Sequence, residues 1–309
     1  MFVIMPLTAE HFQRIHRMFA LLSRHGTPKA LDLDELPLPS PLIGMASGPL
    51  PVVLSVPHAG RDYPDWLLGN ARAGLSFLED PRVDELVQPA LARGVASVIA
   101  RAPRAAIDCN RASEELDPRA VAGVEGPCGP RAEAGLGLIA SRSPLGGALW
   151  RRPIERADLE RRLAAAYRPY HQALAARLDD VQLRFDHVVL IDCHSMPPRR
   201  RGLAQVVIGD RHGESAEAWA ASTAMRVAQQ LGFSVAHNAP FAGGYITQRH
   251  GDPARGRHAI QVEVDRSLYC RMDGHTPGPG FERVAMLFDR LVNALGQAAL
   301  DRGMAQAAE

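Results

Sequence analysis

Val188-Val189-Leu190-Ile191-Asp192-Cys193-His194-Ser195-Met196-Pro197 runs through four apolar residues, adds a carboxylate, a thiol and an imidazole, and ends at proline. A short apolar run bounded by turn formers is the signature of a strand buried on both faces, as in parallel sheets. Leu54-Ser55-Val56-Pro57-His58-Ala59-Gly60 has the same character and also delivers a histidine where the chain must turn. His258-Ala259-Ile260-Gln261-Val262-Glu263-Val264, which follows the run Gly243-Gly244-Tyr245-Ile246-Thr247, places one carboxylate inside an otherwise apolar strand. A bare charge is costly to bury there without a partner, so Glu263 is a functional candidate.

The rest of the chain alternates strands with helices. Leu36-Pro37-Leu38-Pro39-Ser40-Pro41 is a proline-punctuated connector, which sets residues 1–50 apart as an N-terminal extension from a domain spanning 51–309. Within that domain the spacing predicts a helix over 83–94, a strand over 95–100, a second short strand over 105–109 and an irregular excursion over 111–150. Further on it predicts helices over 154–183, 214–231 and 280–302, with strands at 187–192, 205–209, 233–237 and 259–264. The pattern implies an α/β fold: a single domain with a mostly parallel or mixed central sheet between helices. In such sheets ligands gather beyond the carboxyl ends of the strands.

Composition narrows the function classes. With 35 basic and 34 acidic residues the net charge is +1, so electrostatics favours neither nucleic acid nor an anionic membrane as partner. Lys29 is the sole lysine, which excludes a Walker-type phosphate lysine and a Schiff-base lysine from the domain. Cys109, Cys193, Cys128 and Cys270 lie far apart, the usage of a reduced, cytoplasmic protein. Residues 1–25 carry neither a signal-peptide pattern nor a membrane span. Whether the chain forms a homo-oligomer is left open.

Two histidines and a carboxylate, with one position open to water, make a minimal catalytic zinc site. His58 and His194 come from two strand ends, and the acidic cluster Glu79-Asp80-Pro81-Arg82-Val83-Asp84 offers the third group. Asp80 is preferred over Asp84, although its carboxylate could instead cap the following helix. Asp192 lies two residues before His194, on the same side of the strand, where it could orient the imidazole. His250 and His258 are weaker candidates. Arg104 and Ile107-Asp108-Cys109-Asn110-Arg111 form a second constellation, in which Asn110 and Arg111 could cradle a carboxylate. Ser55 and Ser195 lie near the histidines, but neither sits in a Gly-x-Ser-x-Gly elbow.

These segments together resemble the N-formylglutamate amidohydrolase (N-formylglutamate deformylase) family. The resemblance runs from about Pro51 to Tyr269 through the three segments above, Arg104 with Ile107–Arg111, Ala134-Gly135-Leu136-Gly137, Tyr167-Arg168-Pro169-Tyr170-His171 and Gly209-Asp210-Arg211-His212-Gly213, in that family's order. It implies a fold like that of zinc carboxypeptidases and aspartoacylases (phosphorylase/hydrolase-like) and one zinc ion on His58, His194 and an acidic residue. It further implies Glu263 as general base and acid, Arg104 near the scissile carbonyl, and Asn110, Arg111, Gly244 and Tyr245 toward the substrate. Relatives use a tight His-x-x-Glu, whereas that spacing after His58 gives Arg61. The implied reaction is hydrolysis of N-formyl-L-glutamate to formate and glutamate, as in histidine degradation. Arg131, Arg142 and Arg249 are the open candidates for the second substrate carboxylate. Hydrolysis of another N-acyl amino acid or small peptide, or a non-catalytic carboxylate-binding module, are the alternatives.

Overall fold

Strong β-formers and short apolar runs place seven strands in the described residues: Leu42–Gly44 (β1), Val52–Val56 (β2), Ala96–Ile99 (β3), Val188–Met196 (β4), Val206–Gly209 (β5), Val235–His237 (β6) and Arg257–Asp265 (β7). This computed structural model describes residues 38–306 apart from 73, 127, 144–146 and 201, so the predicted extension lies outside the described residues up to residue 37. The strands form one mixed sheet in the order β1-β3-β2-β4-β7-β5-β6. β1 pairs antiparallel with β3, and β5 antiparallel with β7; the other neighbours are parallel. The α/β expectation of a mixed sheet between helices holds.

The helices are Asp65–Asn70 (α1), Val83–Leu86 (α2), Gln88–Leu91 (α3), Pro130–Glu133 (α4), Arg156–Arg162 (α5), Arg168–Gln182 (α6), Ala218–Gln230 (α7), Tyr245–His250 (α8) and Phe281–Gln306 (α9). One face of the sheet packs Leu54, Ile191 and Val262 against α2, α3, α7 and α9. The opposite face packs Val53, Leu190 and Ala259 against α6, Ile246 of α8 and the excursion that carries Leu138 and Leu149. No helix of the described residues is long and apolar enough to cross a membrane.

Three expectations change in detail. The helix predicted over 83–94 is two short helices, because Pro89 has no N–H to continue the first one. The helix predicted over 154–183 widens to a π turn at Leu163–Tyr167, just ahead of Pro169, which again cannot donate. The segment 105–109 is no strand: the Ala106 and Ile107 N–H groups both donate back to the Pro103 carbonyl, and Asp108 N–H donates to Leu138. These N–H groups are spent on a turn and on the distant Leu138 carbonyl, so none of the three remains for a ladder.

Side-chain alternation then positions the polar groups. On β4, Val188, Leu190, Asp192 and His194 share one face, and on β7 Ala259, Gln261 and Glu263 share the same face. The register sets His194 beside Glu263, Asp192 beside Gln261, and Ser55 of β2 beside Asp192. The apolar positions fill the start of that face, and the polar ones collect at the carboxyl ends of three parallel strands.

Candidate active site

His58, Asp80 and His194 converge at one point. His58 Nδ1 and His194 Nδ1 lie 3.1 Å apart, and both lie on Asp80 Oδ2, at 3.2 and 3.0 Å. All three side chains are buried. The turn after β2 makes this meeting, since Asp80 N–H donates to the His58 carbonyl at 3.0 Å. α2 has no side-chain cap, so the Asp80 carboxylate is not used to start that helix. Asp84 takes no part; it forms a two-pronged ion pair with Arg61 at 3.0 and 2.8 Å.

Each histidine is held from behind by a second carboxylate. His58 Nε2 meets Asp108 Oδ1 at 2.7 Å, and His194 Nε2 meets Asp192 Oδ2 at 2.8 Å. A proton on each Nε2, donated to those carboxylates, leaves both Nδ1 lone pairs facing a carboxylate oxygen. Such a donor set fits a cation between the three atoms. A tetrahedral ion with bonds of about 2.0–2.2 Å spaces its ligands roughly 3.4 Å apart, close to what is seen, and three protein ligands leave a fourth position open. Among the described residues this is the group of histidines and carboxylates that could hold a metal ion.

Electrostatics supports the same arrangement. Burial works against charge on Asp80, yet its hydrogen bonds to His194 and His58 hold its pKa well below the usual carboxylate range. Burial likewise opposes the charge on Asp108, but Arg104 and His58 outweigh it and pull the pKa well below the ordinary value. Behind Asp80, the Arg266 guanidinium lies 3.6 Å from its Oδ1 and donates to the Glu79 carbonyl at 2.6 Å.

Glu263 stands next to this cluster and accepts a hydrogen bond from Gln261 Nε2 at 2.9 Å. Burial, with Asp80 and Asp192 adding to it, pushes its pKa up to about 7 against the pull of His194 and Arg104. A carboxylate so poised both takes and returns a proton near neutrality. Arg104 donates from Nε to Asp108 at 2.9 Å and from Nη1 to the Leu78 carbonyl at 3.2 Å, so it braces the partner of His58 while its charge reaches Asp80 and Glu263.

Asn110 and Arg111 are engaged differently from one another. The Asn110 amide bridges elements: Oδ1 accepts from Ile246 N–H at 2.9 Å, and Nδ2 lies 3.1 Å from His194 Nε2 and donates weakly to Asp192 and Gln261, both at 3.4 Å. A Cβ on Gly244 would sit 2.3 Å from Asn110 Oδ1, so glycine is required for this close approach. Arg111 uses Nε on the Leu136 carbonyl and Nη1 on the Asn110 carbonyl, at 2.7 and 2.8 Å, leaving Nη2 with no protein partner among the described residues. Tyr245 is half-buried, and its hydroxyl accepts from Arg249 at 2.9 Å.

His250 and His258 stay apart from the cluster. His250 stacks on His171, with ring nitrogens 3.0 Å apart. His258, at the opposite end of β7 from Glu263, stacks on His187. Burial, with nearby cationic groups adding to it, pushes His171 and His250 down to about 3 and His258 down to about 4. The unfolded chain protonates these rings below about 6.5, whereas the folded protein keeps them neutral, so their contribution to stability is present above that pH and is lost as pH falls. Each adds a slope of at most about 1.4 kcal/mol per pH unit, while Glu263, Glu79 and His194, whose pKa values are raised in the folded protein, act in the opposite sense.

Asp192 takes the orienting position expected from its spacing. Its Oδ1 accepts from the Ser55 hydroxyl at 2.7 Å, and Ser55 Oγ lies 2.8 Å from the Tyr170 hydroxyl, which leaves Ser55 no role as a nucleophile. Cys193 is buried, and burial holds its thiol well above the usual range. Asp108 and Arg266 were not legible as site residues. Asp108 lies in a quoted motif, but its strand-like neighbours gave no sign of a turn folding back onto His58. Gln261 had a signal, because it lies two residues before Glu263 on the same face.

The chain is similar to known proteins over most of its length. A family model described as N-formylglutamate amidohydrolase matches residues 50–270. N-formylglutamate deformylase of Pseudomonas putida is 30% identical over 238 residues, covering 74% of this chain and 85% of that protein. The Pseudomonas aeruginosa protein of the same name is 27% identical over 246 residues, covering 76% of this chain and 87% of its own. The crystal structure of N-formylglutamate amidohydrolase from Ralstonia eutropha JMP134 superposes with a TM-score of 0.74 at 30% identity, covering 85% of this chain and 99% of that one. The family match spans β2 to β7, both histidines, Asp80 and Glu263, and it establishes that this chain belongs to the N-formylglutamate amidohydrolase family.

Proposed function

We propose that this protein hydrolyses the formyl amide of N-formyl-L-glutamate to formate and L-glutamate, with one zinc ion held by His58, Asp80 and His194, as a step of histidine degradation. The observation that carries the reading is the placement of Glu263 on the strand beside a buried His-Asp-His cluster, in a chain of this family. Zinc at that cluster would supply Lewis acidity, lowering the pKa of a coordinated water from 15.7 to about 7 and polarising the formyl oxygen.

The chain's own residues do the rest. Glu263 takes a proton from the attacking water as its oxygen joins the formyl carbon, and returns that proton to the glutamate nitrogen as the C–N bond breaks. Arg104, fixed by Asp108, presents positive charge toward the developing oxyanion; removal of one such donor commonly costs about 10²–10³ in rate. Arg111 offers Nη2 to a substrate carboxylate, and Asn110 keeps Arg111, His194 and the Gly244–Tyr245 turn in register. Asp108 and Asp192 hold the imidazoles with Nδ1 facing inward.

Metal affinity is expected to drop about 10–100-fold in Asp108→Asn or Asp192→Asn, because each loses the carboxylate that orients a ligand. Competition with a chelator measures this, and unchanged affinity in both variants would remove the orienting role. The proposed reaction is tested by formate release from N-formyl-L-glutamate alongside acetyl and peptidyl derivatives of glutamate and aspartate. Release from the formyl substrate with weak turnover of the others supports the reading; preference for an acetyl or peptidyl derivative overturns it.

A further inference from the structure

Arg111 and Arg131 come together without a carboxylate to pair them. Arg131 lies in α4, at the start of the turn whose Leu136 N–H donates to the Arg131 carbonyl at 2.8 Å and whose Leu136 carbonyl accepts from Arg111 Nε at 2.7 Å. One turn of chain thus fixes both arginines. The Arg131 side chain is exposed and reaches across to the Gly243 carbonyl at 3.2 Å, beside the glycine that packs on Asn110. Among the described residues neither guanidinium is within ion-pair distance of a carboxylate. Burial, and then repulsion from Arg104 and Arg131, pulls the Arg111 pKa below its ordinary value, with Asp108 and Glu115 opposing.

Of the other candidate arginines, Arg249 is engaged by Tyr245, and Arg142 makes no hydrogen bond to the Gly243–Gly244 turn among the described residues. Arg249 donates to the Tyr245 hydroxyl and lies over its ring, and the stem of Arg142 packs against Gly135. Depth separates the two that remain. Arg111 is buried beside Asn110, which touches His194, so it stands close to the cluster; Arg131 stands on the rim. In an N-acyl amino acid the α-carboxylate is bonded to the carbon that carries the scissile nitrogen, whereas a side-chain carboxylate extends away from it.

We propose that Arg131 is the specificity residue of this site: Arg111 takes the α-carboxylate, and Arg131 takes a carboxylate at the end of the substrate side chain, selecting dianionic N-acyl amino acids. This rests on the hydrolase reading above and names the residue that selects its substrate's side-chain charge. A guanidinium–carboxylate pair of this kind discriminates by its charge-assisted hydrogen bonds, and a neutral amide in the same place forgoes most of them.

The test compares N-formyl-L-glutamate with N-formyl-L-glutamine, which differs in charge and hardly in shape. In Arg131→Gln, kcat/KM for the glutamate substrate should fall about 10- to 100-fold, the range for a hydrogen bond to a charged group, while that for the glutamine substrate changes by less than about threefold. Arg131→Lys should recover part of the loss. Equal losses on both substrates, or no loss on either, overturn the proposal. The Kd values of L-glutamate and L-glutamine, measured by calorimetry on the same purified proteins, should change in the same selective way. Those constants decide the role of Arg131 even if the wild type releases no formate, an outcome that would instead refute the hydrolase reading.

Discussion

Glu263→Gln is expected to lower kcat for N-formyl-L-glutamate by about 10²–10⁴ while leaving the fold and bound metal in place. Glutamine keeps the length of the side chain and an oxygen that can accept from Gln261 Nε2, so the β7 surface is undisturbed. What is lost is the exchangeable proton site. Burial pushes the native carboxyl up to about 7, where it is balanced between taking a proton and giving one, and an amide does neither. Substrate binding should change little, because the proposed anion contacts come from Arg111 and Arg131. A variant with full turnover would remove the general-base role; one that fails to bind metal would mean that Glu263 serves the metal instead.

His58→Ala and His194→Ala should each abolish stoichiometric metal binding and, with it, hydrolysis. Each substitution removes one of the three converging atoms and also leaves a buried carboxylate, Asp108 or Asp192, without its imidazole. Taking one hydrogen-bond partner from a buried charged group costs stability, so both variants are expected to melt below the wild type. The ligand and stability effects are separable, since His→Gln at either position restores a donor to the carboxylate behind it without restoring the same metal ligand. Elemental analysis of the folded variants is the check, and metal content equal to wild type would rule out the site.

Much of this arrangement was legible because periodicity carries it. The apolar run of β4 and the alternation of Asp192 with His194 and of Gln261 with Glu263 announce a buried sheet with a polar end on one face. Local signals fail where the partner is distant. Asp80 and Asp84 lie one helical turn apart and look alike in sequence; the structure separates them through the hydrogen bond from Asp80 N–H to the His58 carbonyl and the pairing of Asp84 with Arg61. The segment 105–109 is apolar enough for a strand, yet the turn that follows Pro103 uses its N–H groups locally and delivers Asp108 to His58. For Asn110, expected to hold substrate together with Arg111, nothing in the sequence signals that its Oδ1 accepts from the distant Ile246 N–H or that its Nδ2 lies 3.1 Å from His194 Nε2.

Crystals of the protein purified without chelator, measured for anomalous scattering at the zinc absorption edge, test the account most directly. A single peak about 2.0–2.2 Å from His58 Nδ1, Asp80 Oδ2 and His194 Nδ1, in protein that releases formate from N-formyl-L-glutamate, is the predicted result. Active protein with no metal at that point, or with its metal bound elsewhere, contradicts it.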